Sequence, residues 1–269
     1  MSRVVKSFEA AGYTPGKDLR GAPYDFRLSP TKSDETGSDF FTKLRSLIEE
    51  TYEMNDKRKL ILIGHSMGCI EVLHLLYSMS DEWKSKYIDS FIPIAGPWIG
   101  SPKSLRAVLL GTDFSVNFMG ISILKKSLVQ RAAKTFPGIL WMMPFADQRW
   151  ENSVVVELLN ESLVYSPSNI TSLLEEVGLH ETAEALIHIR KEQQKSLTKW
   201  DQFEHMRGDG EIVHFLPPPG VPVTCIYGSG TPTESKYVFT SLDKIKPGKN
   251  PTKIEYEDGD GTVTERSLR

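Results

Sequence analysis

A serine between two glycines directly follows a run of aliphatic residues near the start of the chain. Residues 64–68 read Gly-His-Ser-Met-Gly, and residues 60–63, Leu-Ile-Leu-Ile, come immediately before them. A serine at a sharp turn between a buried strand and a helix takes a strained backbone conformation, which small residues two positions before and after it make sterically possible. Its hydroxyl then stands exposed above the sheet. This context favours a nucleophile elbow centred on Ser66 over a purely structural glycine-rich turn.

The sequence on either side of the pentapeptide has the strand and helix patterns that an elbow requires. Four aliphatic residues bounded by the charged stretch 56–59 predict a parallel strand that is covered on both faces. Apolar residues crowd most of the surface from Met67 to Met79, which predicts an interior helix. The amide N–H of Met67 would lie at the N-terminus of this helix, where it serves as one donor to the oxyanion of a tetrahedral acyl intermediate.

Helix and strand patterns alternate through the first hundred residues. A helix is predicted from Ser38 to about Met54, and a second buried strand is predicted at 88–95. This alternation indicates a parallel sheet with crossover helices. The alternation of helix and strand patterns is lost between about 102 and 220. Strand patterns return at 221–227 and at 253–256.

We therefore expect three segments in an α/β chain. Residues 1–101 form the first part of the core with the elbow, 102–220 form a cap or lid insertion, and 221–269 form the second part of the core. Loops at the carboxyl ends of parallel strands are where ligands bind, so a cap there would shape the substrate site. An irregular apolar patch at 112–124 predicts either a mobile lid that meets lipid or ordinary cap core, and the sequence leaves both open.

Size and charge exclude several classes of function. With 269 residues and 39% hydrophobic content, the chain is long enough for one large α/β domain with an insertion. The net charge of −3 is spread without long runs, so no clustered basic face for nucleic acid is expected.

The longest uncharged stretches, 91–102 and 135–146, are too short for a bilayer span of about twenty apolar residues. The first residues lack an apolar signal core, which read literally predicts a cytosolic chain.

Cysteines and sequons add weaker signals. Two cysteines, Cys69 and Cys225, are too few for a disulfide scaffold and lack metal-ligand spacing. Cys69 lies in the predicted interior helix, where a small thiol is most often inert packing. Glycosylation sequons begin at Asn160 and Asn169, whereas Asn250 is followed by proline and is excluded.

An acidic turn after the last predicted strand needs a role. Asp258 and Asp260 alternate with glycines, but Thr262 and Arg269 do not complete the ligand set of a calcium loop. A bare surface turn stays open as an alternative. The chain order of nucleophile, acid and histidine in α/β-hydrolases favours a triad acid at Asp260.

No histidine follows this acid in the sequence, and the six histidines before it have other expected roles. His65 lies inside the elbow and is expected to support the turn. The others are expected to be packed or solvated: His74, His180, His188, His205 and His214. A serine without a base is a poor nucleophile at neutral pH, because its hydroxyl must lose a proton as it attacks.

The motifs together resemble those of the lecithin:cholesterol acyltransferase family, most closely its lysosomal phospholipase A2 (group XV) branch. They stand in the family's order and at about its spacing, over most of the chain apart from much of the cap. The matching blocks are residues 12–27 (Gly-Tyr-Thr-Pro-Gly-Lys-Asp-Leu-Arg-Gly-Ala-Pro-Tyr-Asp-Phe-Arg), 64–68, 96–98 (Gly-Pro-Trp), 225–233 (Cys-Ile-Tyr-Gly-Ser-Gly-Thr-Pro-Thr) and 258–263 (Asp-Gly-Asp-Gly-Thr-Val).

The resemblance implies an α/β-hydrolase, a mostly parallel sheet with helices on both faces, with an inserted cap. It implies an enzyme without metal or cofactor that uses Ser66 as the nucleophile, the Met67 amide as an oxyanion donor and Asp260 as the triad acid. The family's lid maps to about 111–135. Because its members are mostly lysosomal or secreted and glycosylated, the resemblance also predicts that location and gives the sequons more weight.

The chain departs from the family pattern at several positions. Phe26 stands where the family usually has tryptophan, and Ile99-Gly100 stands where it has two glycines. The resemblance further implies that the catalytic histidine lies beyond Arg269, that a loop completing the oxyanion hole lies before Met1, and that a cysteine pairing with Cys225 lies about eleven positions after Asp260. On this interpretation, the 269 residues alone are expected to show no turnover.

The predicted function is a lipid acyl hydrolase and O-acyltransferase. An acyl group would pass from a glycerophospholipid to water or a lipid alcohol, through an acyl-enzyme formed at a membrane or lipoprotein surface. Two alternatives stay open. One is phospholipid-to-diacylglycerol acyl transfer at the endoplasmic reticulum, and the other is a non-catalytic lipid-binding relative that has lost the base.

Overall fold

The computed structural model describes residues 2–31, 39–112, 117–118, 121–122, 125–150, 152–198, 204–206, 212–214 and 216–269. The chain is a mixed α/β protein. Its described helices are α1 (Ser2–Ala10), α2 (Phe40–Met54), α3 (Met67–Ser78), α4 (Asp81–Tyr87), α5 (Pro102–Leu109), α6 (Lys126–Ala133), α7 (Pro137–Trp141), α8 (Ile170–Glu176), α9 (His180–Thr198) and α10 (Glu265–Leu268). Its strands are β1 (Leu60–His65), β2 (Ile88–Ile94), β3 (Asn117–Phe118), β4 (Ile121–Ser122), β5 (Val156–Leu158), β6 (Leu163–Tyr165), β7 (Glu204–Met206), β8 (Ile212–His214), β9 (Thr233–Phe239) and β10 (Lys253–Glu257).

Two of the predicted aliphatic strands pair in parallel. β1 and β2 run side by side from Leu60 opposite Ile88 to His65 opposite Ile94. Residues 222–226 lie along the other side of β2, bonded through parallel bridges at Val223 and Ile226 rather than a full ladder. The order across the sheet is therefore β1, β2, then 222–226, and all three segments end at the same edge.

Only one face of β1 is covered by the described residues. Leu60 and Leu62 pack against a buried cluster that draws on α2, α3 and α4, whereas Ile61 and Ile63 on the opposite face are 47% and 42% exposed. The prediction of a strand covered on both faces is therefore wrong for this part of the chain, because alternate side chains of a strand point to opposite faces and only one face meets helices here. The buried cluster comprises Phe41, Leu44, Ile48, Cys69, Leu75, Leu76, Trp83, Ile88 and Phe91.

A second sheet has the strand order β10-β9-β5-β6. β9 runs antiparallel to β10 and parallel to β5, and β5 and β6 form an antiparallel hairpin. The larger core cluster contains side chains of this sheet together with those of α5, α7, α8 and α9. One hydrogen-bonded sheet thus joins strands from both sides of the boundary predicted at 220/221.

Several sequence-based predictions fall partly outside the described residues. Ser38, the predicted start of α2, is among them, and so are residues 113–116, 119–120 and 123–124 of the apolar patch and lid. The backbones of His205 and His214 belong to β7 and β8, but their side chains are outside the described set. Among the helices of the described ranges, none is both long enough and apolar enough to cross a membrane.

Candidate active site

Ser66 occupies the turn at which β1 passes into α3. Its backbone angles are φ 52° and ψ −125°, a conformation that residues with a Cβ rarely adopt. The Ser66 amide donates to the carbonyl of Ile94 at the end of β2, over 2.8 Å, and the Cys69 amide donates to the Ser66 carbonyl over 2.9 Å. The side chain is partly exposed. The strained elbow that the sequence predicts is therefore present, at the carboxyl end of β1.

The two glycines around Ser66 have different roles. A Cβ built on Gly64 would lie 2.8 Å from the Cα and 2.9 Å from the amide nitrogen of Cys69, both backbone atoms that cannot swing aside. A Cβ on Gly68 would meet only the ring of Tyr24, with its oxygen at 3.7 Å, which is ordinary van der Waals contact. Gly64 is therefore required by the close approach of β1 to the first turn of α3, whereas Gly68 leaves room for a methyl group.

Met67 begins α3 directly after Ser66. The first amides of a helix have no acceptor within the helix, and its dipole makes this end attractive to negative charge. The Met67 side chain is buried beneath α7, where the Cβ position of Gly138 lies 2.7 Å from its terminal methyl carbon. This packing fixes the residue whose amide adjoins the nucleophile.

Asp260 lies in a tight loop after β10. Its Oδ1 atom accepts hydrogen bonds from the amides of Thr262 and Val263, each 2.8 Å long. The described residues form no hydrogen bond to its other oxygen, Oδ2. A carboxylate held through one oxygen in this way presents the second to a further donor.

Asp258 is used differently. Its Oδ1 accepts from the amide of Gly259 over 2.7 Å and from that of Gly230 over 2.5 Å, and its side chain is exposed. It therefore ties the loop around 228–231 to the loop around 258–261. These bonds give Asp258 a structural use and leave Asp260 as the better placed of the two acids.

Ser66 and Asp260 share one edge of the parallel sheet. Asp260 lies beside Gly228, since a Cβ built on that glycine would be 3.2 Å from the Asp260 Cβ, and Gly228 comes just after the 222–226 segment. Ser66 comes just after β1, and β2 lies between the two segments. With neighbouring strands about 4.8 Å apart, the two segments that position these residues are separated by roughly 10 Å.

Four histidines have described side chains, and His65 directly precedes Ser66. His65, His180 and His188 are exposed, and His180 pairs with Glu175. The ring of His74 packs on Phe41, with centroids 4.9 Å apart. His74 is packed and His180 and His188 are solvated, as expected. The prediction for His65 differs from the structure, because its exposed ring forms no hydrogen bond among the described residues that would support the turn.

An apolar cavity runs along α3 from about one turn beyond Ser66. It holds a volume of about 50 Å³. Its polar groups, an imidazole, a phenol and an amide, are few among aromatic and aliphatic walls. The lining residues are Ile70, Leu73, His74, Tyr77, Trp98, Trp141, Phe145, Gln193 and Leu216.

A short loop beside the elbow presents an exposed aromatic residue. Arg27 donates to both carboxylate oxygens of Asp25, and this hydrogen bonding lowers the pKa of Asp25 to about 2. Between them Phe26 is 57% exposed and packs edge-on against Phe136, with ring centroids 6.1 Å apart. The Gly138 amide donates to the Arg27 carbonyl over 3.0 Å, so the loop is fixed to the start of α7.

Buried groups near the elbow are held in their neutral forms. Burial raises the pKa of the Cys69 thiol to about 12, so it is a packing group and not a thiolate. Burial, and then the charge of Glu71, raise the pKa of Tyr24 to about 12. Cys225 is exposed and has no disulfide partner among the described residues. Cys69 thus has the inert role that the sequence predicts.

Some contacts around the site could not be predicted from the sequence pattern, or only weakly. Gly138 reads as an ordinary residue of a short helix, yet a Cβ there would lie 2.3 Å from the carbonyl oxygen of Phe26. Thr233 and Ser101 are buried hydroxyl residues that bond to the loop of Asp260. A glycine directly after the helix-starting Pro137 is a weak hint of close backbone contact.

Comparison with known proteins gives consistent matches over nearly the whole chain. The family model described as Lecithin:cholesterol acyltransferase matches residues 1–269. Phosphatidylcholine-sterol acyltransferase of Mus musculus is 34% identical over 265 residues, which cover 98% of this chain and 52% of that protein. Lysosomal phospholipase A and acyltransferase of Mus musculus is 31% identical over 272 residues, which cover 98% of this chain and 55% of that protein.

The chain spans about half the length of the curated relatives it matches. The identities of 34% and 31% differ too little to place the chain nearer to either kind of relative. In the solved Tle4–Tli4 complex, one chain aligns with a TM-score of 0.36 and 19% identity, over 51% of this chain and 26% of that one. A likeness of that size has no bearing on the fold.

Proposed function

The chain belongs to the lecithin:cholesterol acyltransferase family, and from that premise we propose that it serves as a lipid acyl hydrolase and O-acyltransferase. The names of its relatives combine a phospholipid with acyl transfer, as phosphatidylcholine-sterol acyltransferase and as lysosomal phospholipase A and acyltransferase. The observation that carries the proposal is the strained Ser66 elbow at the sheet edge that also holds Asp260.

The proposed reaction has two halves. Ser66 Oγ attacks the ester carbonyl carbon of a phospholipid while its proton passes to a general base, a role that histidine fills in this order of residues. The carbonyl oxygen becomes an oxyanion, to which the Met67 amide donates. Collapse of this intermediate breaks the ester bond, and the lysophospholipid oxygen leaves with the proton from the base. Water or a lipid alcohol then attacks the acyl-enzyme and restores the Ser66 hydroxyl.

Asp260 would act through the base and not on the substrate. A carboxylate that accepts the second imidazole N–H fixes the tautomer and stabilises the imidazolium formed during attack. The open Oδ2 atom of Asp260 supports this role, because Oδ1 is already bound by two amides. In the order β1, β2, 222–226, the end of β2 lies between serine and acid, and we place the imidazole there.

We assign the fold to the α/β-hydrolase type with an inserted cap. The core would comprise 1–101 and 221–269, with 102–220 as the cap. The sheet that joins β9 and β10 to β5 revises this division, so that 233–257 belong with the cap sheet and only the remainder of 221–269 stays in the core.

The lid is proposed at about 111–135. Gly111 has φ 78°, and a Cβ there would lie 1.9 Å from the carbonyl oxygen of Lys126, so the two ends of the intervening segment are in contact. Lys126 Nζ also donates to Asn250 Oδ1 over 3.0 Å. These contacts close the base of the proposed lid segment.

Two apolar features near the elbow suit a lipid substrate. The cavity along α3 has aromatic and aliphatic walls, but its volume of about 50 Å³ would receive only the end of an acyl chain. The exposed ring of Phe26 offers a contact with a membrane or lipoprotein surface. Ile70 lines the cavity about one turn beyond Ser66, and Gly138, which is bonded to the Phe26 loop, lies against the side chain of Met67.

We propose that the protein is lysosomal or secreted, because of its relatives and its two glycosylation sequons. Asn160 lies at the exposed tip of the β5–β6 hairpin, beside the exposed side chains of Leu159, Leu163 and Val164. Asn169 is half-buried, with its Oδ1 accepting from the Ser166 amide over 2.7 Å. We expect a glycan at Asn160 to shield this hairpin, and site-resolved mass spectrometry after deglycosylation in heavy-oxygen water reads out both positions.

The test of the proposed function uses the protein as its gene encodes it, with the Ser66→Ala variant and the control Ser90→Ala, a serine of β2. A fluorophosphonate probe should label the wild type and the control at Ser66, and both should release fatty acid from phosphatidylcholine vesicles. Loss of triad function costs on the order of a million-fold in turnover, so Ser66→Ala should show neither. Labelling or turnover that persists in Ser66→Ala contradicts the proposal.

The alternatives predict other results in the same assay. Vesicle binding without any turnover in the wild type would favour a lipid-binding relative. Strict transfer to diacylglycerol, with no release to water, would favour the diacylglycerol acyltransferase. No feature of the structure or of the relatives favours either one.

A further inference from the structure

The loop that carries Asp260 is held by bonds within the loop and by bonds from distant residues. Asp260 Oδ1 is held by the amides of Thr262 and Val263, which belong to the same loop. The orientation of the carboxylate therefore depends on whatever holds those two peptides in place. Two buried hydroxyl groups from distant parts of the chain do so, one on each side of the loop.

Thr233, the first residue of β9, holds the loop from one side. It is fully buried, and its Oγ1 accepts from the Gly261 amide over 2.8 Å while donating to the Thr231 carbonyl over 2.9 Å. The Thr231 amide in turn donates to the carbonyl of Gly259 over 3.1 Å. The peptide directly after Asp260 is thus tied to the start of β9 through a single oxygen.

The fit between Thr233 and the loop leaves no spare room. A Cβ built on Gly259 would lie 2.5 Å from Thr233 Oγ1 and 2.4 Å from the carbonyl oxygen of Val263. The loop backbone therefore lies directly on the threonine hydroxyl.

Ser101 holds the loop from the other side. Its buried hydroxyl donates to the carbonyl of Thr262 over 2.7 Å and accepts from the Lys103 amide over 3.3 Å, at the N-cap of α5. Lys103 Nζ donates to the carbonyl of Gly261 over 2.5 Å. The peptides on both sides of residue 262 are thereby anchored to the segment that follows β2.

We propose that Thr233 and Ser101 are positioning residues for the Asp260 carboxylate, a role that rests on the proposed function. Without the Thr233 hydroxyl, the partly buried Gly261 amide loses its acceptor, and the free-energy cost of an unpaired donor favours a rearranged backbone. The amides of Thr262 and Val263 would then turn the carboxylate away from the base. Neither hydroxyl needs to touch substrate for this effect.

The decisive experiment replaces the hydroxyl while keeping the shape, with Thr233→Val, in the protein as its gene encodes it. A soluble p-nitrophenyl ester removes any effect of the lipid surface. We expect kcat to fall ten- to hundred-fold at unchanged KM, since misplacement of a catalytic group by about 1 Å costs on the order of a hundred-fold. Thr233→Ser, which keeps the oxygen, should restore most of kcat. Thr240→Val, just beyond the end of β9, is the matched control and should leave kcat unchanged.

Ser101→Ala tests the same loop from the opposite side and serves if Thr233→Val does not fold. It should lower kcat by less than Thr233→Val does, and Ser104→Ala, one turn further along α5, should not lower it. Hydrogen exchange of the peptide spanning 258–264 should quicken in Thr233→Val and Ser101→Ala but not in the controls. The inference is overturned if Thr233→Val and Ser101→Ala both fold and leave kcat and the hydrogen exchange of 258–264 unchanged. It is also overturned if these variants change only KM. A wild type without Ser66-dependent turnover instead defeats the proposed function.

Discussion

The Ser66 elbow and the Asp260 loop place their side chains at one sheet edge by opposite means. The elbow is built mainly from neighbours in sequence, because Gly64, Ser66 and Cys69 contact one another through their backbones within six residues. One further bond, from the Ser66 amide to the Ile94 carbonyl, joins the turn to the end of β2. The acid loop is held by Thr233 and Ser101, which are 28 and 161 positions from their partners. The elbow is thus a strained local turn, whereas the acid loop is unstrained and is fixed by distant hydroxyls. Substitutions in the two regions should therefore have different effects on stability and on kcat.

The largest expected effect comes from the acid itself. Asp260→Asn keeps the shape of the loop but removes the charge that orients the base, and in a comparable triad this change lowers kcat by about 10⁴-fold. Asp258→Asn is the matched control, since this exposed side chain bonds only to loop amides. Steady-state hydrolysis of a soluble ester measures both variants. Equal losses in the two variants would show that the loop has a structural role alone.

The next effect tests the local construction of the elbow. In Gly64→Ala, the added methyl group would meet the backbone of Cys69 at 2.8 Å, and we expect the free energy of unfolding to fall by roughly 3 kcal/mol, with loss of probe labelling. In Gly68→Ala, the nearest atom is at 3.7 Å, and we expect a change under about 1 kcal/mol. Chemical denaturation of both variants measures the difference. Equal stabilities would contradict the tight approach at Gly64.

Relieving the backbone strain at Ser66 should raise the free energy of unfolding, by less than Gly64→Ala lowers it. The angles φ 52° and ψ −125° of Ser66 cost of order 1–3 kcal/mol for a residue with a Cβ and little for glycine. Ser66→Gly should therefore raise the free energy of unfolding by about 1 kcal/mol, while Ser66→Ala keeps the strain and should not. The same denaturation measurement compares them, and Ser66→Gly that is no more stable than Ser66→Ala would show an unstrained turn.

The smallest effect concerns the loop that carries Phe26. Hydrogen bonds from Arg27 lower the pKa of Asp25 to about 2 in the folded chain, below the value of about 3.9 in an unfolded one. The depressed pKa means that the pairing contributes stability above about pH 4 and that this contribution is lost as the pH falls through 2. An NMR titration of the Asp25 carboxyl carbon should show a midpoint near 2, which Arg27→Gln should move up toward 4. A midpoint near 4 in the wild type would mean that the pair does not form.

Features set by neighbouring residues could be predicted from the sequence, whereas features set by distant partners could not. The aliphatic runs predicted β1, β2 and the 222–226 segment, and the glycines predicted the turn at Ser66, because each signal lies within a few residues of its effect. The exposed face of β1 was missed, because a continuous aliphatic run does not say whether one face or both will meet other elements. Thr233 and Ser101 were missed because a hydroxyl partner 28 or 161 positions away leaves no local pattern. The pairing of β9 with β5 was missed for the same reason.

The account's central claim is that Ser66 is a nucleophile whose oxyanion is held by the Met67 amide. A crystal structure of the protein after reaction with a fluorophosphonate measures this directly. The account predicts phosphorus bonded to Ser66 Oγ, with one phosphoryl oxygen about 3 Å from the Met67 nitrogen. An adduct on another residue, or a phosphoryl oxygen turned away from the Met67 amide, would contradict it.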